Sequence, residues 1–459
     1  MLEKKPYTPP MIEPLPFLAI NKHPTQHFLA DPDFEIPFDP EKLLEKYGSP
    51  LYVISEQRLR QDYRDFSSAF SKPYLDTCVA YSIKTNYLPA VCSILREEGA
   101  WAEVVSGVEY ELSRRLGVPA SEIIFNGPHK TQDELQRALG EGAIVNIDNG
   151  DELAMVEQIA DTLNKPVRLG LRVSFRYGQS PWTKFGFNDE NGDCQWALEL
   201  IARNPNLNLE LLHNHGGTFI LIPDMYAKAA EKLIDVAKRA RDLGLKPTMI
   251  DMGGGYPSKN TLKPAYDLFG GSRRNGDYFS PYANAICGQL EQARELFGGR
   301  PTLVLEPGRA LVDGAVQLVC TVLAKKEVQG QGKAIIVDAG VNLVPTACYY
   351  DHRVNTTLDT FNRQDSQLQP VDIYGPLCMQ SDRLRERALL PQLSVGDRLF
   401  ISNVGAYCHT QSMQFIQARP ATVLLGPDGP ELVRRREIWS DFFALDALPE
   451  RLRADRCTF

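Results

Sequence analysis

Hydrophobic and polar positions alternate in short blocks along most of this chain. Apolar, β-type runs of five to eight residues occupy 77–84, 102–106, 123–127, 143–148, 167–174, 209–215, 248–252 and 302–306. Between them, over 88–98, 109–116, 132–139, 152–163, 196–202, 226–243 and 282–297, apolar residues recur at spacings of three and four. That is the period of amphipathic helices. Eight strand units separated by helices predict a (β/α)8 barrel. An open doubly wound sheet would place a glycine-rich turn after its first strand. Here Lys84-Thr85-Asn86 stands there instead.

The flanks read differently. Residues 1–49 are proline-rich and irregular, apart from a helical pattern over 40–47, and are expected to pack on the C-terminal domain. A strand over 51–54 and a helix to residue 70, with Ser55 at its N-cap, open the unit assigned to the barrel, 50–312. From 313 to 459 helices become scarce and strand-like runs occur at 316–322, 334–337, 371–373, 398–402, 421–425 and 431–434. These predict a separate all-β domain, a barrel or sandwich. Two βα connections, 175–195 and 256–281, are long enough to suggest function over the barrel mouth.

Composition narrows the function classes. The chain has 459 residues, 43% of them hydrophobic, with 50 Lys+Arg against 58 Asp+Glu. A net charge of -8 argues against a nucleic-acid or anionic-membrane surface. The nine cysteines are scattered and form no C-x-x-C pair, as expected of reduced thiols. No apolar run approaches the ~18 residues of a membrane span, and the N-terminus shows no signal-peptide pattern. These features predict a cytoplasmic protein.

Chemistry concentrates at the predicted strand ends, which in a barrel of this kind surround the active site. Those ends carry Lys84, Ser106, Asn126, Asp148, Ser174, His215, Asp251 and Glu306. A lysine leaving water loses hydration, and a neutral desolvated amine is the nucleophile that forms an imine with a carbonyl. Gly253-Gly254-Gly255 after the seventh strand lets backbone N–H groups approach an anion, and Arg309 after the eighth adds a charged fork. His213 and His215 could share a strand face as a metal pair, but no third ligand stands at a recognisable spacing, so no metal is expected. An imidazole can instead stack on a planar ring. Glu306 could keep a heterocyclic nitrogen protonated. Imine lysine, phosphate cradle, stacking histidine and facing carboxylate together describe pyridoxal 5′-phosphate.

At these positions the sequence resembles the barrel-type, alanine racemase-like (fold type III) pyridoxal phosphate-dependent decarboxylases, near their diaminopimelate and ornithine branches, from about residue 50 to 445. Tyr81-Ser82-Ile83-Lys84-Thr85-Asn86 is similar to the family's Y-A-x-K-A-N, which implies Lys84 as the cofactor lysine. Val105-Ser106-Gly107-Val108-Glu109 resembles V-S-x-x-E, and His215-Gly216-Gly217-Thr218 resembles H-x-G-S. The resemblance then implies that His215 stacks on the cofactor ring and that Thr218 reaches its phosphate. Gly253 to Gly255, Glu306 to Arg309, the 374–382 segment (G-P-x-C-x-x-x-D) and Gly405-Ala406-Tyr407 (G-A-Y) follow in the family's order. Tyr407 is implied near the phosphate. Cys378 is implied as the acid that protonates the α-carbon, supplied across a homodimer whose subunits share their sites.

Two departures bear on the substrate. Met379 follows the cysteine where the diaminopimelate branch has glutamate and the ornithine branch aspartate. Val344-Pro345 matches a dipeptide that carries arginine in the diaminopimelate branch. With Met379, Val344 and Asp382 taken as substrate contacts, a distal charge would lose its partners, at a cost of about 3–5 kcal/mol. The expectation is therefore an amino-acid α-decarboxylase for a specialised amino acid or conjugate, as in siderophore biosynthesis. The alternatives are a true meso-diaminopimelate decarboxylase and, in a different class, a non-catalytic pyridoxal-binding protein.

Overall fold

The computed structural model describes residues 38–176, 184–263, 266, 278–328, 332–357, 360 and 368–453. It opens with α1 (Pro40–Tyr47), β1 (Leu51–Ser55) and α2 (Glu56–Ser71). The alternating region follows as β2 (Thr77–Ser82), α3 (Pro89–Glu97), β3 (Trp101–Val104), α4 (Gly107–Arg115), β4 (Ile123–Phe125), α5 (Gln132–Glu141), β5 (Ile144–Ile147) and α6 (Gly150–Leu163). It continues through β6 (Val167–Ser174), β7 (Phe187–Asn188), α7 (Asp193–Arg203), β8 (Leu207–His213), α8 (Pro223–Asp242), β9 (Met249–Asp251), α9 (Ser280–Gln292), α10 (Arg294–Phe297), β10 (Thr302–Leu305) and α11 (Arg309–Val312). The strands β2 to β6 and β8 to β10 pair in parallel in the order β5-β4-β3-β2-β10-β9-β8-β6, and a β5–β6 pairing closes the ring. The predicted barrel is present.

Helix starts are set by local chemistry. Ser55, Ser106, Thr131 and Asn149 each accept a backbone N–H from the first turn of the helix they precede. At α5 the cap is a full capping box with Glu134. Such caps stop the chain close to each strand end and keep those βα turns short.

The barrel interior has two layers, because alternate residues of a strand face the same side. Ala80, Ile124, Ile144, Leu211, Met249 and Val304 form one buried apolar cluster, closed by Trp101. Two residues further along their strands stand Ser82, Asn126, Asn146, His213, Asp251 and Glu306, and Glu103 stands two beyond Trp101, all buried. The apolar layer is the floor; the polar layer above it is the base of the site.

The second sheet runs β15-β14-β12-β11-β1-β17-β18, with β16 pairing β11 and β13. Its strands are β11 (Val316–Val328), β12 (Gly332–Val337), β13 (Val354–Thr356), β14 (Gln369–Tyr374), β15 (Arg383–Leu390), β16 (Arg398–Ser402), β17 (Ala421–Gly426) and β18 (Gly429–Arg434). One assignment is corrected here. β1, expected to open the 50–312 unit, lies inside this sheet, antiparallel to β11 and parallel to β17. Its burial on both faces requires neighbours on each side, and only this sheet offers them. Leu43 and Leu44 of α1 pack on the same sheet with Val319, Phe400 and Val423, and Glu41 pairs with Arg398 at 2.8 Å. Most of the 1–49 extension lies outside the described residues, as do 177–183 and most of 264–277 within the two long connections. Among the described residues no helix is long and apolar enough to cross a membrane.

Candidate active site

Lys84 sits in the single 3-10 turn (Ile83–Thr85) that ends β2, its side chain about one-third exposed at the barrel mouth. Its Nζ donates to Glu103 Oε2 (2.5 Å) and to Ser82 Oγ (2.7 Å). Ser82 itself donates to the same Glu103 oxygen (2.5 Å). Burial pulls the amine's pKa down, but Glu103, with Tyr407 and Glu306, outweighs it and leaves the pKa raised.

A hydrogen-bonded path crosses the polar layer from this pair. Asn126 Nδ2 donates to Glu103 Oε1 (3.0 Å) and to Glu306 Oε1 (2.6 Å), and its Oδ1 accepts from Asn146 Nδ2 (2.5 Å). One amide thus bridges the carboxylates of the two strands that flank β2, Glu103 in β3 and Glu306 at the end of β10. His213 Nε2 lies 3.4 Å from Glu306 Oε2. Burial raises Glu306, but His213 and Lys84 reverse this and hold it well below the ordinary carboxylate range. Asp251, buried and facing Glu306, is pushed well above its ordinary value, by burial first and then by Glu306. The opposed shifts favour the ionised form at Glu306 and the protonated form at Asp251.

His215 Nδ1 accepts the Gly254 N–H (2.9 Å), so a neutral ring carries its proton on Nε2. Burial, then Arg172, pushes its pKa well below normal. His213, His215 and Glu306 present ligand atoms within 4.8 Å of one another. The positive charges of Lys84 and Arg172 at the same mouth oppose a cation there.

An anion is better matched. A Cβ at Gly253 would meet the Asn214 carbonyl at 2.7 Å, and at Gly255 the Gly217 carbonyl at 2.6 Å; both glycines have positive φ. Only glycine lets this loop close on its neighbours, and the Gly253 and Gly254 N–H groups are held by Asp251 Oδ1 (2.8 Å) and His215 Nδ1 (2.9 Å). Arg309 is buried, with its Nη1 lacking a hydrogen-bond partner among the described residues. The rings of Tyr350, Tyr407 and Phe219 surround its guanidinium at 4.6, 5.1 and 5.8 Å. Tyr407 belongs to the β domain, and its N–H donates to the Thr85 carbonyl (2.8 Å), beside Lys84. Thr218 is exposed, after Gly217. An amine, an ionised carboxylate on the neighbouring strand, and a buried guanidinium with one nitrogen unbonded among the described residues, near a glycine loop, fit pyridoxal phosphate by charge at each end.

The residues expected at the substrate divide. Cys378 is exposed in the loop from β14 to β15, with Met379 half-buried beside it. Asp382 is buried and fixes this loop, its two oxygens accepting the Val341 and Leu377 N–H groups, each at 2.7 Å. Loop-holding is thus the task the geometry gives Asp382. Val344 is fully buried within the apolar core and offers no surface to a substrate, contrary to the contact expected of it.

Glu103, Asn146 and Arg172 were not singled out from sequence. They lie one register inside the strand ends, where an acidic, amide or basic residue interrupts an apolar run. That interruption is the signal that could have found them. Arg172 pairs with Asp148 (3.6 Å) and stacks on Phe185 (4.3 Å).

Residues 56–313 match the family described as pyridoxal-dependent decarboxylase, pyridoxal binding domain. A diaminopimelate decarboxylase of Methanothermobacter thermautotrophicus is 32% identical over 436 residues, spanning 90% of this chain and 95% of the relative. A solved diaminopimelate decarboxylase from M. jannaschii, in complex with L-lysine, superposes with a TM-score of 0.81 at 27% identity, over 91% of this chain and 96% of its own. A lysine/ornithine decarboxylase from Vibrio vulnificus, complexed with cadaverine, gives 0.70 at 25% identity, over 84% and 97%.

Proposed function

The chain belongs to the pyridoxal-dependent decarboxylases, and from that membership we propose that it removes an α-carboxyl group from meso-diaminopimelate, leaving lysine. It is an amino-acid decarboxylase, and its cofactor is pyridoxal 5′-phosphate. The observation that carries the site assignment is the Lys84–Glu103–Asn126–Glu306 path. It links an amine and an ionised carboxylate at the ends of two neighbouring strands, β2 and β10, of one barrel mouth. The choice of substrate rests on the names of relatives that match the chain nearly end to end.

When bound, the cofactor supplies an electron sink for the bond that breaks. Lys84 would hold it through its carbonyl carbon, and Glu103 would receive and return the amine's proton. Glu306, kept ionised by Asp251 and His213, would hold a proton on the ring nitrogen. His215 would cover one ring face, with Arg309, Gly253, Gly254, Gly255, Thr218 and Tyr407 around the phosphate. Cys378, exposed in its own chain, would act at the mouth of a second copy and protonate the α-carbon there. Site completion across a homodimer would give this exposed β-domain thiol a role at a mouth.

The specialised substrate expected from sequence is less well supported than diaminopimelate. Val344, one of its two premises, is a core residue. Met379, the other, still favours it as a second reading, because a thioether cannot neutralise a distal ammonium. Assay of the cofactor-loaded enzyme separates the two. The first reading predicts stoichiometric carbon dioxide and lysine from meso-diaminopimelate, with kcat/KM above ~10⁴ M⁻¹s⁻¹. Turnover of N-acylated diamino acids but not of diaminopimelate would overturn it in favour of the second. In that case Met379→Glu should gain activity on the free diamino acid.

A further inference from the structure

Three segments that meet at the phosphate end of the mouth come from distant parts of the chain, and one buried carboxylate touches all of them. Asp313 follows α11, one helical turn after Arg309, and is 1% exposed. Its Oδ2 accepts from Ser258 Oγ (2.5 Å) and from Asn260 Nδ2 (3.4 Å), in the stretch just after Gly253-Gly254-Gly255. The same oxygen lies 3.9 Å from Arg309 Nη1. Its Oδ1 accepts the Ala406 N–H (3.3 Å), and its main-chain carbonyl accepts the Gly405 N–H (3.3 Å).

Asn260 also donates to the Asn403 carbonyl (3.1 Å), drawing the post-glycine stretch toward the β domain. A Cβ at Gly405 would lie 1.8 Å from the Val312 carbonyl, so the β-domain turn sits directly against α11. Tyr407, two residues on, holds a positive φ and caps the arginine. Charged acceptors fix donors more firmly than neutral ones. A carboxylate here sets the relative position of loop, arginine and turn.

We propose that Asp313 is a positioning residue for the phosphate of the cofactor, locking the glycine loop, Arg309 and the Ala406-Tyr407 turn into one cradle. This rests on the phosphate reading of those residues. By charge alone a carboxylate beside a phosphate site would weaken anion binding, so positioning and bystander roles predict opposite signs.

The test is equilibrium binding to the cofactor-free chain, followed by absorbance, of pyridoxal 5′-phosphate and of pyridoxal, which lacks the phosphate. In wild type the phosphorylated ligand should bind far more tightly. Asp313→Asn should weaken it about tenfold to a hundredfold while leaving pyridoxal within about threefold. Ser258→Ala, a milder change that keeps the core intact, should move affinity in the same direction by a few-fold. Tighter binding, no change in either variant, or an equal loss for both ligands would overturn the positioning role. A wild-type chain that does not distinguish the two ligands would instead remove the phosphate reading on which it rests.

Discussion

Among the described residues three donors hydrogen-bond Glu103: the Lys84 ammonium and the Ser82 hydroxyl meet one oxygen, the Asn126 amide the other. A glutamine there has one oxygen and one NH2, so whichever way it turns, two donors face each other. Glu103→Gln should therefore remove the main opponent of burial at the Lys84 amine and lower its pKa. Competitive acylation of the cofactor-free chain, read by mass spectrometry, should show the neutral amine fraction at fixed pH rising about tenfold or more. An unchanged acylation profile would show that Glu103 does not hold the proton. Lys84 itself was legible in the sequence, because an isolated lysine closing an apolar run is conspicuous. Glu103 was not, since its role depends on β3 lying beside β2, which no local pattern states.

Among the elements, helices and barrel strands were the easiest to read. Most barrel-strand residues are buried on both faces, so the strands write mainly apolar runs broken by single polar residues. The β domain was harder. β15 carries the sequence RLRERALL, whose residues favour helix, yet it pairs antiparallel with β14. Tertiary pairing overrides propensity there. β1 was read as a strand but given to the wrong unit, because pairing partners more than 250 residues away leave no local trace. Within the β domain the buried His352 donates from Nδ1 to the Ser402 carbonyl (3.1 Å) while its Nε2 accepts from Thr346 (2.8 Å). Burial pushes its pKa from 6.5 down to about 3. The unfolded chain takes up that proton first. The stability tied to the neutral ring is therefore whole above pH 6.5 and is lost as pH falls toward 3, at roughly 1.4 kcal/mol per pH unit. His352→Asn should flatten the fall of Tm between pH 7 and pH 4, measured by calorimetry; an identical slope would contradict this.

For the whole molecule, the division of labour is between a barrel that holds the cofactor and a β domain that offers Cys378 at an exposed loop. If two copies complete each other, a Lys84→Ala chain and a Cys378→Ala chain mixed in verified heterodimers should recover about half of one wild-type dimer's activity, because one of the two mouths is then intact. No recovery would place Cys378 in its own chain's site or outside catalysis. The eightfold alternation and the order of motifs made the architecture and chemistry readable from the sequence. The substrate was not readable in the same way, because it depends on which side chains face the mouth, and Val344 turned out to face the core. What all of this presupposes is that the amine at the end of β2 is the one that holds the cofactor. Borohydride reduction of the cofactor-loaded protein, followed by peptide mapping, tests that most directly. The pyridoxyl label should fall on Lys84 alone, and Lys84→Ala should show no label and no visible cofactor band; a label on Lys130, Lys184 or another lysine would contradict it.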